Sequence, residues 1–182
     1  MPEPQRTSVM DAAGVERALD QMARDIVQRA GGADGLVLVG IHRRGVQLAD
    51  LIAARIRVGG STGLETGSLD ITLYRDDLMV VGPRPVVGRT VLPDMGIDGR
   101  VVAIVDDVLY TGRTVRAALD ELADFGRPRR TLLAVLVDRG GRELPIHADV
   151  VGTRVEVPEG GRVEVMVPEI DGRLGVERVE AA

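Results

Sequence analysis

An α/β architecture, with a central, mostly parallel sheet flanked by helices, is what the sequence predicts. Apolar runs without alternation at residues 35–40, 100–105 and 131–138 have the pattern of strands covered on both faces. Helical periodicity over residues 9–30, 45–58 and 113–124 separates them. Strands alternating with helices in this way call for a parallel sheet. The 182 residues are enough for one domain with a substantial core. Aromatics make up only 2% of the chain (Tyr74, Tyr110 and Phe125), so that core is packed from Val, Leu, Ile and Ala.

The elements follow in order. Residues 1–8 read as a loose tail. Val15, Leu19, Met22, Ile26 and Val27 then form one apolar helical stripe, with Asp11 placed to cap it and Gly31-Gly32 to end it. After the strand at 35–40, Val46, Leu48, Leu51, Ile52 and Ile56 mark a second helix. Residues 68–75 are rich in β-branched side chains and predict a strand. Residues 76–99 are punctuated by Gly82, Pro83, Pro85, Gly88 and Pro93, an excursion of turns with a short hairpin around 86–92. The strand at 100–105, a turn, a helix at 113–124 and the strand at 131–138 complete the core. Beyond Asp138 a polar loop and short Val-rich runs at 148–151, 154–157 and 162–167 read as added edge strands, not a second domain.

Composition excludes several classes. With no cysteine there is neither a disulfide framework nor a thiolate metal site. No apolar run approaches the roughly 18 residues of a membrane span, and the polar N-terminus lacks the apolar centre of a signal peptide. A cytoplasmic protein without a membrane partner is expected. The net charge of −5 disfavours non-specific nucleic-acid binding while leaving room for a local basic patch.

Chemistry concentrates in residues 101–114. An apolar strand runs into Asp106 and Asp107, and Val108, Leu109, Tyr110, Thr111, Gly112, Arg113 and Thr114 then turn into a helix. Ligands of open α/β sheets bind outside the carboxyl ends of the strands. A helix N-terminus offers unpaired N–H donors and a favourable dipole to an anion. Thr111 and Thr114 add hydroxyls, and Gly112 allows close approach to a phosphate. Two adjacent acids at the end of a buried strand need partners, because unpaired buried charge is costly; a sugar diol and a hydrated metal satisfy them. The P-loop pattern of nucleoside triphosphatases is absent.

This stretch resembles the motif with which type I phosphoribosyltransferases bind 5-phosphoribosyl 1-diphosphate (PRPP). Residues 106–116, 39–45, 70–77 and 134–146 together resemble the PyrR family, regulators of pyrimidine operons that are also uracil phosphoribosyltransferases; the likeness runs from about residue 9 to 180. The resemblance implies the type I phosphoribosyltransferase fold over residues 1–182, with a mobile active-site loop or hairpin at 76–99 and a small hood with edge strands at 139–182. It places the ribose hydroxyls on Asp106 and Asp107 and the 5-phosphate on residues 110–114. Arg44, in the loop after the first strand, is the matching diphosphate arginine; Arg75 and Arg89 are further candidates for that group. Mg²⁺ is expected through the diphosphate and water, near Asp76, Asp77 and Asp106. Purine-using relatives carry an acid where this chain has Tyr110, which fits a pyrimidine acceptor.

Uracil is expected at Val137 and Asp138, giving UMP and diphosphate. The resemblance further implies UMP/UTP-dependent binding of a pyrimidine operon mRNA leader, regulating transcription or translation, through Arg17, Arg24, Arg142, His147 and Arg154. Self-association as a homodimer or tetramer is implied as well. Glu16, Asp20 and Asp25 interrupt the basic residues of the first helix. Two alternatives stay open: transfer to another base, or an RNA-binding nucleotide sensor with weak catalysis.

Overall fold

The computed structural model describes residues 5–74 and 88–181. The chain runs β1 (Arg6–Met10), α1 (Ala12–Ala30), β2 (Leu36–Ile41), α2 (Arg44–Val58), β3 (Glu65–Leu69), a 3-10 turn (Ile71–Tyr74), β4 (Val101–Leu109), α3 (Arg113–Phe125), β5 (Arg130–Asp138), β6 (Val150–Arg154), β7 (Arg162–Met166), α4 (Pro168–Asp171) and β8 (Gly175–Val179). The main sheet has the order β3-β2-β4-β5-β6, and each neighbouring pair is parallel. β1, β8 and β7 form a separate antiparallel sheet.

The unbroken apolar strands are explained by cover on both faces. Leu36, Leu38, Ala103, Val105, Leu132 and Ala134 pack with Leu19, Ile26, Leu48 and Ile52 of α1 and α2. Val37, Val39, Val102, Ile104 and Val135 pack on the other face with Val115, Ala118 and Leu122 of α3. Each fully buried Val, Leu or Ile among them contributes about 1.5–3 kcal/mol. Asp11 caps α1 by accepting from the Gly14 N–H at 2.7 Å, and Gly31 closes it at φ 80°. Among the described residues no helix is long and apolar enough to cross a membrane.

Several boundaries differ from expectation. Residues 6–10 are a strand, not a tail: β1 adds to β8, bringing the two ends of the chain together. β8 itself carried no recognised signal. β3 ends at Leu69 instead of reaching Arg75, because the Asp70 carboxylate accepts the Thr72 N–H at 2.9 Å and turns the chain into the 3-10 turn. β4 continues through Asp106 to Leu109, since β5 stays in register with it as far as Leu109 and Asp138. The runs at 148–151 and 154–157 resolve into the single strand β6. The hairpin expected at 86–92 lies partly outside the described residues; Val91 bridges to Ser68 at the end of β3.

Candidate functional site

The parallel sheet delivers the C-terminal ends of β2, β3 and β4 to one edge, where a cleft of about 510 Å³ opens. His42, Arg43 and Arg44 line it from the loop after β2. Asp70, Ile71 and Thr72 come from the turn after β3, Gly88 from the returning chain, and Asp106, Asp107, Val108 and Thr114 from β4 and α3. Two helices begin here, α2 at Arg44 and α3 at Arg113. Neither has a side-chain N-cap nor an acid in its first turn, whereas α1, away from the cleft, is capped by Asp11. The Arg113 N–H of α3 donates to Thr111 Oγ1 at 3.3 Å and the Val46 N–H of α2 to the Arg43 carbonyl at 3.2 Å; the other first-turn N–H groups, with the positive end of each dipole, can seat anions on one cleft.

Close backbone contact sets the spacing of these parts. A Cβ on Gly45 would lie 2.5 Å from the Val105 carbonyl oxygen, and one on Gly40 would lie 2.4 Å from the Val46 Cα. Only glycine lets α2 start this near β4. Gly112 adopts φ 94° at the start of α3, a conformation that favours glycine.

The acids differ sharply. Asp106 is buried, and its Oδ1 accepts the Asp107 N–H at 2.9 Å. Burial, and then the adjacent Asp107 charge, push its carboxyl well above the usual range. Asp107 accepts the Val108 N–H at 2.8 Å. Burial would also raise Asp70, but the Thr72 hydroxyl and the N–H groups of Thr72 and Gly88 outweigh it and hold that carboxyl below its ordinary value. Asp70 and Thr72 were not singled out from the sequence, although the Asp-x-Thr spacing is the signal for such a turn.

Around the turn at residues 110–114, the loop after β5 is zipped onto β4. Glu143 and Leu144 donate backbone N–H groups to the Thr111 carbonyl at 3.0 and 3.1 Å, and Arg139 N–H donates to the Leu109 carbonyl at 3.1 Å. The Arg139 guanidinium stacks 3.9 Å from the centre of the Tyr110 ring, and Arg113 pairs with Glu143 at 2.8 Å. The Leu109 side chain is buried in the core.

The remaining candidates divide by surroundings. The Val137 side chain is in the core, and its main chain lies in the ladder between β4 and β6. Asp138 Oδ1 accepts from the Gly140 N–H at 3.0 Å and Arg142 Nη2 at 2.6 Å. Burial opposes these bonds, yet they hold the carboxyl below its usual range. Arg142, grouped with the RNA contacts by resemblance, turns inward: it also donates to the carbonyls of Ile146 at 2.9 Å and Tyr110 at 2.6 Å. It ties the loop after β5 to the turn at residues 110–114. Arg17, Arg24, His147 and Arg154 are exposed. Glu16 and Asp20 are both ion-paired with Arg55 of α2, and Asp25 accepts from Gln21. Arg89 sits beyond Asp70 and Gly88, in a side pocket with Tyr74 and Glu121. Arg75, Asp76 and Asp77 lie outside the described residues.

Among the described residues no three His, Cys, Asp or Glu side chains form a metal cage. The donor set nevertheless fits Mg²⁺, which is commonly held by one or two carboxylates, water and substrate phosphates.

A phosphoribosyl transferase domain profile matches residues 5–164. The chain is 55% identical over 163 residues to a Bifunctional protein PyrR of Herpetosiphon aurantiacus, covering 90% of each. It is 52% identical over 172 residues to the protein of that name from Thermus aquaticus, covering 94% of each. Among solved structures, a hypoxanthine phosphoribosyltransferase of Trypanosoma cruzi superposes with a TM-score of 0.72 at 18% identity, covering 97% of this chain and 96% of that one. One from Staphylococcus aureus gives 0.68 at 19%, covering 96% and 92%. These structural likenesses establish the shared fold.

Proposed function

Because the chain belongs to the PyrR family of phosphoribosyltransferases, we propose that it transfers phosphoribosyl from PRPP to N1 of uracil, giving UMP and diphosphate. The observation that carries this is the pairing of Asp106 and Asp107 with two uncapped helix N-termini on one cleft. PRPP presents a sugar diol between a phosphate and a diphosphate, and the cleft offers complements to all three. Asp106 and Asp107 would accept from the ribose hydroxyls. The turn at 110–114 would hold the 5-phosphate with N–H groups and the Thr111 and Thr114 hydroxyls. Arg44 and the start of α2 would face the diphosphate, with Arg75 and Arg89 contributing from the neighbouring chain.

Mg²⁺ would be held by Asp106 or Asp107 with water and the diphosphate, near Asp76 and Asp77, where it supplies neutralising charge to the leaving group. The protein's own part is positioning and electrostatic stabilisation as positive charge develops on the sugar. No dedicated general base is required. Uracil would lie at the end of β5, beside Val137 and Asp138. Both protein bonds to Asp138 fall on Oδ1, which leaves Oδ2 to accept a base N–H. A panel of bases with the purified chain tests this choice: uracil turns over faster than hypoxanthine, guanine, xanthine, adenine or orotate. A faster purine would refute the pyrimidine assignment.

The second activity we assign is binding of a pyrimidine operon mRNA leader, strengthened by UMP or UTP, by a homodimer or tetramer in the cytoplasm. Support comes from the ion pairs of Glu16 and Asp20 with Arg55, which neutralise acids beside Arg17. Arg17, Arg24, His147 and Arg154 would contact the RNA, with Arg142 holding the adjoining loop in shape. Filter binding at fixed salt should show Arg17→Ala weakening leader binding about tenfold, as expected for loss of one or two phosphate contacts, with uracil transfer unchanged. Equal affinity of the native chain for leader and scrambled RNA, with or without UMP, would contradict the regulatory reading.

A further inference from the structure

We propose that Asp171 is a positioning residue for the donor's diphosphate, acting through Arg44. The inference rests on reading Arg44 as a diphosphate ligand. Arg44 Nε and Nη2 donate to Asp171 Oδ2 and Oδ1 at 3.2 and 2.8 Å, a two-point contact between residues 127 apart in sequence. Two parallel bonds fix the plane of a guanidinium as well as its position. Arg44 lines the cleft with its side chain 35% exposed, so it is held in place without being shut away from a ligand.

Asp171 is itself fixed. Its Oδ2 accepts the Val167 N–H at 2.8 Å, and its own N–H donates to the Val167 carbonyl at 2.8 Å. Val167 is fully buried between β7 and α4. The Arg44 hydrogen bond, against a smaller opposing effect of burial, keeps the Asp171 carboxyl below its ordinary range, so it stays ionised at neutral pH. The segment carrying α4 therefore reaches the cleft through one carboxylate. Nη1 of Arg44 has no protein acceptor among the hydrogen bonds described. An anion arriving at α2 meets an arginine whose rotamer is already chosen, and less side-chain freedom is lost on binding.

The test uses the full chain carrying Asp171→Asn, Arg44→Gln or both, with calorimetric titration of PRPP, inorganic diphosphate and UMP, and a thermal melt of each variant. Asp171→Asn is expected to weaken PRPP and diphosphate about tenfold and to leave UMP, which lacks a diphosphate, within twofold. Arg44→Gln should do the same, and the double variant should be no worse than Arg44→Gln alone, the mark of one residue acting through the other. If Asp171→Asn does not fold, Asp171→Glu, with its carboxylate one methylene further out, should show a smaller loss of the same selectivity. Unchanged or tighter diphosphate binding in the folded Asp171 variant, while Arg44→Gln weakens it, would make Asp171 a structural anchor or a competitor and overturn the proposal. Unchanged binding in Arg44→Gln would instead remove the diphosphate role of Arg44, and the proposal with it. Parallel loss of UMP would also overturn it, by showing general disruption of the site.

Discussion

Asp106→Asn and Asp107→Asn should each lower kcat/KM for PRPP about 100-fold, the loss expected when a carboxyl bound to the sugar hydroxyls is replaced by an amide. Steady-state kinetics with uracil saturating checks this, and a change below threefold at both positions would show that β4 ends in two structural acids. The stability of the Asp106 variant should move the other way. Asp106 is buried and its carboxyl is raised in the fold by burial and by Asp107. A raised carboxyl means the fold favours the protonated form, so the native chain loses stability as pH rises through that folded value. Asparagine keeps the acceptor for the Asp107 N–H and removes the charge. Melts of Asp106→Asn should therefore lie above those of the native chain in alkaline buffer, with the gap narrowing as pH falls toward the ordinary carboxylate range. A site that sacrifices stability for function behaves this way.

Gly45→Ala should reduce transfer about 100-fold or more and lower the melting temperature by about 5 °C. The added methyl would lie 2.5 Å from the Val105 carbonyl oxygen and 3.3 Å from the Asp106 Cα, both backbone. Nothing there can rotate away, so α2 must shift off β4. Overpacking of this kind costs about 1–3 kcal/mol, which for a chain of this length corresponds to a few degrees. The larger effect is on geometry, because a displacement of Arg44 from Asp106 by about 1 Å would separate the proposed diphosphate and sugar positions. Activity within fivefold of native would mean that the approach of α2 to β4 does not set the site.

The strand, turn and helix that line the cleft from β4 to α3 were legible because their signals are local. The apolar run, the two acids, the Thr-Gly turn and the helix occupy consecutive residues, and one parallel crossover puts them at a sheet edge. What escaped depends on contacts distant in sequence. β1 and β8 are five-residue strands in polar surroundings, recognisable only once they pair with each other. The strand expected at 68–75 stops at Leu69 because the Asp70 carboxylate accepts the Thr72 N–H, which outweighs the β-propensity of Ile71 and Thr72. Arg142 looked like a surface cation until its acceptors, spread from Leu109 to Ile146, were brought around it. The Arg44–Asp171 pair spans most of the chain and has no sequence signature.

On the proposed mechanism this cleft would join the sugar of PRPP to uracil. Incubating the purified chain with PRPP, uracil and Mg²⁺, and separating the products by anion-exchange chromatography, measures it directly. The expected result is UMP and diphosphate in equal amounts, formed only when all three are present and abolished with Asp106 and Asp107 both changed to Asn. Absence of UMP above the protein-free rate, or breakdown of PRPP to ribose 5-phosphate regardless of uracil, would contradict it.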